Sequence, residues 1–410
     1  MKWMALLLTW STFATAQQLP EPPHLDLEAS SQELLQVLAT QNHFQIFGER
    51  PRARSPELDL ILDAGQRNLD WLRHINSFRK DPLQFTKPGD LRGIPITKPK
   101  LYSETIVHQD FLKLQERMMP LMKEVLLQKK DFTQNPPEPL ELYIELGRKM
   151  DVVYQTALRW IMMEPYLPWM KTRRQRDIRG YYFLSRLPNL EATLSGFDSL
   201  PSEEKKQIEA WLSMICYNTE EDDQICNSLV QSSTQNKTLV ALYRRYESGA
   251  ASIYDDFFQL QNPRRELTWA PNNEAKIDIF NNQSREQTDF LKKNLEDEWR
   301  WQNWRLTIGF NPNAMVKVHW QPGITPHVDG LGGGNVYMDS QAPLTEWDVQ
   351  WTIRHEFGHV FGLPDCYIEF YSEPEQAMVT YQIDIDDLMC SRAGKINQRL
   401  YDEMKRAYQR

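Results

Sequence analysis

The chain is 410 residues long, 41% apolar, and carries a formal net charge of −9. That is enough apolar material for more than one core. The acidic balance argues against nucleic acid or an anionic membrane surface as a partner.

At the N-terminus, Lys2, the apolar run 3–13 and Ala14-Thr15-Ala16 have the order of an export signal: a basic start, a short apolar core and a small-x-small cleavage site. The apolar run is too short to span a bilayer, and no later stretch approaches the ~20 residues a spanning helix needs. The mature protein is therefore expected outside the cytoplasm, secreted or periplasmic, with no membrane anchor. Residues 17–55 are mixed and proline-containing, with one helix expected near 31–40.

From about residue 56 to 261, apolar residues recur at three and four. This spacing predicts helices over 58–78, 103–130, 139–163, 202–216 and 237–260. Proline runs punctuate them, and no repeat of solenoid period appears. The basic run 171–176 reads as a solvated helix face. Four cysteines in an exported chain suggest two disulfides. Three pairings are possible, and the local one, Cys216–Cys226 with Cys366–Cys390, is the expected one.

The pattern changes near Asn262-Pro263-Arg264-Arg265. A first strand is expected at 267–269, a helix over 277–301, and strands at 305–310, 315–320 and 336–339. The division this implies is a signal (1–16), a mostly helical region (17–261) acting as propeptide or accessory domain, and a C-terminal domain (265–410). The dibasic pair is a conceivable processing point between the last two. His319 and His327 read as structural. Asp384, Asp386 and Asp387 suggest a calcium loop but lack its Gly and Glu.

The chemistry concentrates in His355-Glu356-Phe357-Gly358-His359, followed by Val360-Phe361-Gly362-Leu363-Pro364-Asp365. On a helix, His355 and His359 are four positions apart and project from one face, as one zinc ion requires. Gly362 can take the left-handed conformation that ends a helix, and Pro364 prevents it from resuming. The turned chain can return Asp365 as third ligand. Glu356 can reach a water at the metal without being a ligand itself.

This pattern resembles that of the metzincin metallopeptidases, His-Glu-x-x-His-x-x-Gly-x-x-His/Asp, and Asp365 brings it closest to the snapalysin-like subgroup. Tyr367, two residues beyond the aspartate, and Asp387-Leu388-Met389-Cys390, placed like the family's methionine turn, extend the resemblance. It covers about 265–410. It implies an α+β fold in which a mixed twisted sheet with a metal-binding helix follows the mostly helical N-terminal region. It also implies one catalytic Zn2+ on His355, His359 and Asp365, with Glu356 as general base. Tyr367 would assist the metal or the oxyanion. The strand before the metal helix, with Asn335, Val336 and Tyr337, would hold an extended protein or peptide substrate at the sheet edge. The expected activity is zinc-dependent endopeptidase. Its rivals are a non-catalytic zinc-stabilised binding protein and a zinc amidase acting on cell-wall peptides.

Overall fold

The computed structural model describes residues 55–79 and 93–409, apart from 325, 343, 345–346 and 392–393. The expected signal segment and the helix near 31–40 lie outside the described residues. The chain forms two compact units. Among described residues, the first comprises 55–79 and 108–158, and the second 93–107 and 159–409.

The first unit is helical. Its elements are α1 (Pro56–Asn76), most of α2 (Glu104–Arg117), α3 (Pro120–Leu126) and most of α4 (Leu140–Met163). A single helix is expected over 103–130, but it divides, because Pro120 has no N–H for a helix running through from α2. The Ser55 side chain caps α1 by accepting from the Leu58 N–H at 3.1 Å. Gly65 faces Tyr154 and Gly147 faces Leu72, so α1 and α4 pack closely where Cβ atoms are missing.

The second unit holds a helical cluster and a mixed α+β region. Short helices α5 (Leu167–Thr172), α6 (Arg179–Leu184) and α7 (Leu190–Ser195) precede α8 (Ser202–Glu220), α9 (Asp223–Gln235) and α10 (Leu239–Asp256). Leu212, Ile215, Val230 and Tyr246 form their core, and Cys216–Cys226 joins α8 to α9. Helix α9 is unanticipated; Asp222 starts it by accepting from the Gln224 and Ile225 N–H groups. The basic run 171–176 departs from the solvated face expected of it. Arg174 is nearly buried and pairs with Asp223 at 2.7 Å.

The larger sheet contains β2 (Thr268–Ala270), β3 (Glu274–Asn281), β4 (Arg300–Trp301), β5 (Trp304–Phe310), β6 (Val316–Gln321), β7 (His327–Val328) and β8 (Asn335–Asp339). The order is β4-β5-β3-β6-β8-β7, with β2 also paired to β3. Strand β3 is parallel to β5 and β6, and β8 is parallel to β6. The helix expected over 277–301 begins only at α11 (Arg285–Glu298), after the central strand β3. Ala275, Ile277 and Ile279 alternate inward along that strand, a period of two and not of 3.6. A Ser284–Gln287 capping box starts α11.

Helix α12 (Trp347–Val360), which carries His355 and His359, packs on α11, and its Ile353, Phe357 and Val360 enter the same core as Ile277, Val336 and Met338. Beyond it, β9 (Tyr367–Ser372) and β10 (Ala377–Gln382) form a hairpin, and α13 (Gln398–Tyr408) closes the chain. Strand β1 (Lys100–Tyr102) adds to β10 as the third strand of this smaller antiparallel sheet. The division expected at 261–265 therefore falls inside one compact unit, which includes residues 93–107 and 159–261 as well.

Among the described residues, no helix is long and apolar enough to cross a membrane. The two disulfides suit an oxidising, extracytoplasmic compartment.

Candidate metal centre

Helix α12 presents His355 and His359 one turn apart, their rings perpendicular with centroids 4.9 Å apart. Each imidazole is fixed from behind. His355 Nδ1 lies 2.8 Å from the Leu388 carbonyl, and His359 Nδ1 lies 2.8 Å from the Leu363 carbonyl. A carbonyl only accepts, so both Nδ1 atoms carry the hydrogen. Both Nε2 atoms are thereby turned towards one point.

Asp365 arrives at that point. After α12, Gly362 adopts φ +91°, and a Cβ there would overlap the Gln261 carbonyl. The Gly362 and Leu363 N–H groups donate back to the carbonyls of His359 and Gly358 at 2.9 and 3.0 Å, which reverses the chain. Asp365 Oδ1 ends 3.0 Å from His355 Nε2 and 3.3 Å from His359 Nε2. Ligand atoms bound tetrahedrally at about 2.0 Å from one ion stand roughly 3.3 Å apart. Two imidazoles and a carboxylate thus converge at the spacing a small divalent metal needs. His355, Glu356 and His359 also form a group able to hold a metal ion, their ligand atoms within 4.8 Å of one another.

The histidines and the aspartate are also coupled electrostatically. Burial pushes the His359 imidazole down, but the Asp365 hydrogen bond and charge outweigh it and bring the group up to about 9. Burial favours a neutral Asp365, yet hydrogen bonds from His355 and His359 hold its carboxyl well below the usual range. The aspartate is therefore anionic, as a ligand must be.

Met389 lies beneath α12. A Cβ on Gly358 would overlap its sulfur, so the glycine inside the motif is what allows the close approach. The turn carrying Met389 is held by Asp387, which is fully buried and accepts from the Met389 N–H at 2.8 Å, from Asn397 Nδ2 at 2.7 Å and from Arg399. Asp387 is thus committed to the turn, with both carboxylate oxygens bonded to protein donors. The Cys366–Cys390 disulfide joins the residue after Asp365 to the residue after Met389, and the Cys366 N–H donates to the Met389 carbonyl at 3.0 Å. Both sulfurs are in that bond, so the nearby Cys366, Asp387 and Cys390 offer no thiolate to a metal.

Tyr367 opens β9, 40% exposed, with its ring 6.4 Å from that of His355. The edge-strand expectation needs correction. Strand β8 is not an edge, because β6 pairs with one side of it and β7 with the other, setting His327 opposite Tyr337 and Val328 opposite Val336. Val336 is buried in the core, Tyr337 is stacked between His319 and His327, and Asn335 is bonded to Asp329 and His319. The edge belongs to β7.

Several supporting residues have no motif to announce them. Arg354, just before His355, binds Glu298 at 2.9 Å and Asn294 at 2.8 Å, while Trp299 Nε1 donates to the Arg354 carbonyl at 3.2 Å. These contacts fasten α12 to α11. The available signal was Gly358, since a glycine in a helix interior implies something packed against it.

Among known protein families, characterised proteins and solved structures, comparison finds no match to this chain.

Proposed function

We propose that this protein is an extracytoplasmic zinc-dependent endopeptidase of metzincin type. The observation that carries this reading is the convergence of His355 Nε2, His359 Nε2 and Asp365 Oδ1, with both Nδ1 atoms bonded to backbone carbonyls. Nitrogen and carboxylate donors in a three-ligand set favour zinc and leave a position open. Zinc, when bound, supplies Lewis acidity that makes water more acidic and polarises a carbonyl.

The chain's own groups supply the rest. Glu356 belongs to the same cluster but is not needed as a ligand, so its carboxylate takes the proton from the attacking water and returns it to the leaving amine. Tyr367, half-exposed beside His355, donates its hydroxyl hydrogen to the developing oxyanion. Further support comes from the order of the longer elements, strand β3, helix α11, strands β5, β6 and β8 and then helix α12, and from Met389 beneath that helix. A purely structural zinc site has no use for an acid in Glu356's position.

The decisive experiment is Glu356→Gln. The variant is expected to keep zinc and lose roughly 10²–10⁴ in turnover, the usual contribution of general-base catalysis. Zinc content and peptide hydrolysis are measured on one preparation. A fully active variant would overturn the mechanism, and a wild type inert on peptides but active on cell-wall fragments would favour the amidase.

A further inference from the structure

The dibasic pair at 264–265 looks from sequence like a processing point between two regions. The two arginines differ sharply in the structure. Arg265 is exposed, whereas the side chain of Arg264 is only 7% exposed and reaches across to a glycine-rich loop. Its Nη1 donates to the Gly332 carbonyl at 2.8 Å and to the Gly333 carbonyl at 2.6 Å.

That loop has no side chains to hold it over Gly332-Gly333-Gly334, and Gly332 sits at φ +73°. Glycine runs lose the most chain freedom on ordering, so an external anchor is needed. Two carbonyls bound by one buried cation provide it, through charge-assisted bonds. The loop in turn touches the metal helix. The Gly332 N–H donates to the carbonyl of His359 at 2.8 Å. A Cβ at Gly332 would overlap the Asn262 carbonyl, so the loop and the strap formed by residues 261–264 approach as backbone on backbone.

The strap is held along its length. The Gln261 N–H donates to the Gly362 carbonyl at 2.7 Å. Tyr408 accepts from the Arg264 N–H at 3.0 Å and donates to the Phe361 carbonyl at 2.7 Å. Segment 261–264 therefore holds the chain reversal just after α12, directly at Gly362 and through Tyr408 at Phe361, and, through the loop, the backbone of His359.

We propose that Arg264 is a positioning residue for the metal centre, fixing the Gly332–Gly334 loop that braces His359. The inference rests on the metal-centre reading given above. It makes 261–264 part of the centre's support and not a linker to be cut.

The test is zinc affinity of the full chain, by competition with a chromophoric chelator, in wild type, Arg264→Gln, Arg264→Lys and Arg265→Gln. The melting temperature of each metal-free protein is measured alongside. Arg264→Gln should lose at least about tenfold in affinity, the usual effect of removing an outer support of a metal ligand. Arg264→Lys keeps a charged donor without the planar fork and should fall in between. Arg265→Gln removes the same charge from an exposed position and should match wild type.

Wild-type affinity in folded Arg264→Gln overturns the inference, as does an equal loss in Arg265→Gln, which would point to net charge. A loss no larger than the fall in metal-free stability explains would reduce Arg264 to a general structural role and also overturn it. Should Arg264→Gln fail to fold, Arg264→Lys decides, and wild-type affinity there sinks the proposal. A wild type that takes up no zinc removes the metal-centre reading and this inference together.

Discussion

The two disulfides close short loops, one in the helical cluster and one beside the metal centre, and they do different work. Cys216–Cys226 spans 10 residues and Cys366–Cys390 spans 24. On chain-entropy grounds both should contribute about 3 kcal/mol, because the dependence on loop length is only logarithmic. What differs is what each end carries. The first joins α8 to α9 within an apolar core. The second ties the neighbour of Asp365 to the turn whose Leu388 carbonyl orients His355. Equal stabilisation therefore predicts unequal effects on metal binding.

The strongest test removes each bridge in turn. Replacing both cysteines of either pair by alanine should cost about 3 kcal/mol in denaturant unfolding. Only Cys366→Ala with Cys390→Ala should also weaken zinc binding, by tenfold or more, the order found when a ligand's outer support is lost. Equal zinc affinity in the two double variants would erase the distinction.

A second contrast lies in pH. In the metal-free protein, His359 titrates near 9, above its ordinary value of 6.5. Its contribution to stability is thus fully present below about 6.5 and disappears as pH rises through 9. Asp365 is held below its ordinary 3.8, so its contribution is present above that value and fades as pH falls towards the depressed one. Zinc must displace the His359 proton, so affinity should rise about tenfold per unit between roughly pH 6.5 and 9. Chelator competition at several pH values measures this, and a flat profile would mean that His359 is already neutral.

The smallest effect compares two glycines. Cβ atoms at Gly358 and Gly180 would overlap Met389 and the Trp211 carbonyl, respectively. Each change to alanine should destabilise by about 1–3 kcal/mol through overpacking. Gly358→Ala should also reduce zinc affinity by displacing the helix from Met389, and Gly180→Ala should leave it unchanged. Thermal melts with and without zinc separate the two.

The convergence of His355, His359 and Asp365 was legible because its determinants are local. Helical spacing sets His355 beside His359, and Gly362 with Pro364 sets the reversal that brings in Asp365. Helices α1, α4, α8 and α10 were equally readable from their periodicity, whereas the one expected over 103–130 divides at Pro120. Where the reading failed, contacts distant in sequence decide the outcome. Glu274–Asn281 mixes charged and apolar residues and is a strand because β5 and β6 flank it. The two-residue β7 carries no periodicity at all, yet it displaces β8 from the sheet edge. Arg264 looked like half of a cleavage signal, and only the Gly332 and Gly333 carbonyls reveal what it holds.

Strand β1 has a consequence for assembly. Lys100 pairs with Thr380, and Tyr102 donates to Glu369, which also holds Arg159. The hairpin that follows Asp365 is therefore completed by residues made long before it. Contacts this remote in sequence are slow to form, because loop closure must precede any gain from pairing. During synthesis β1 cannot pair with β10 until Ala377–Gln382 have emerged. The small sheet beside the ligands is then among the last parts of the protein to close, and a chain cut short before β10 leaves β1 an unpaired edge.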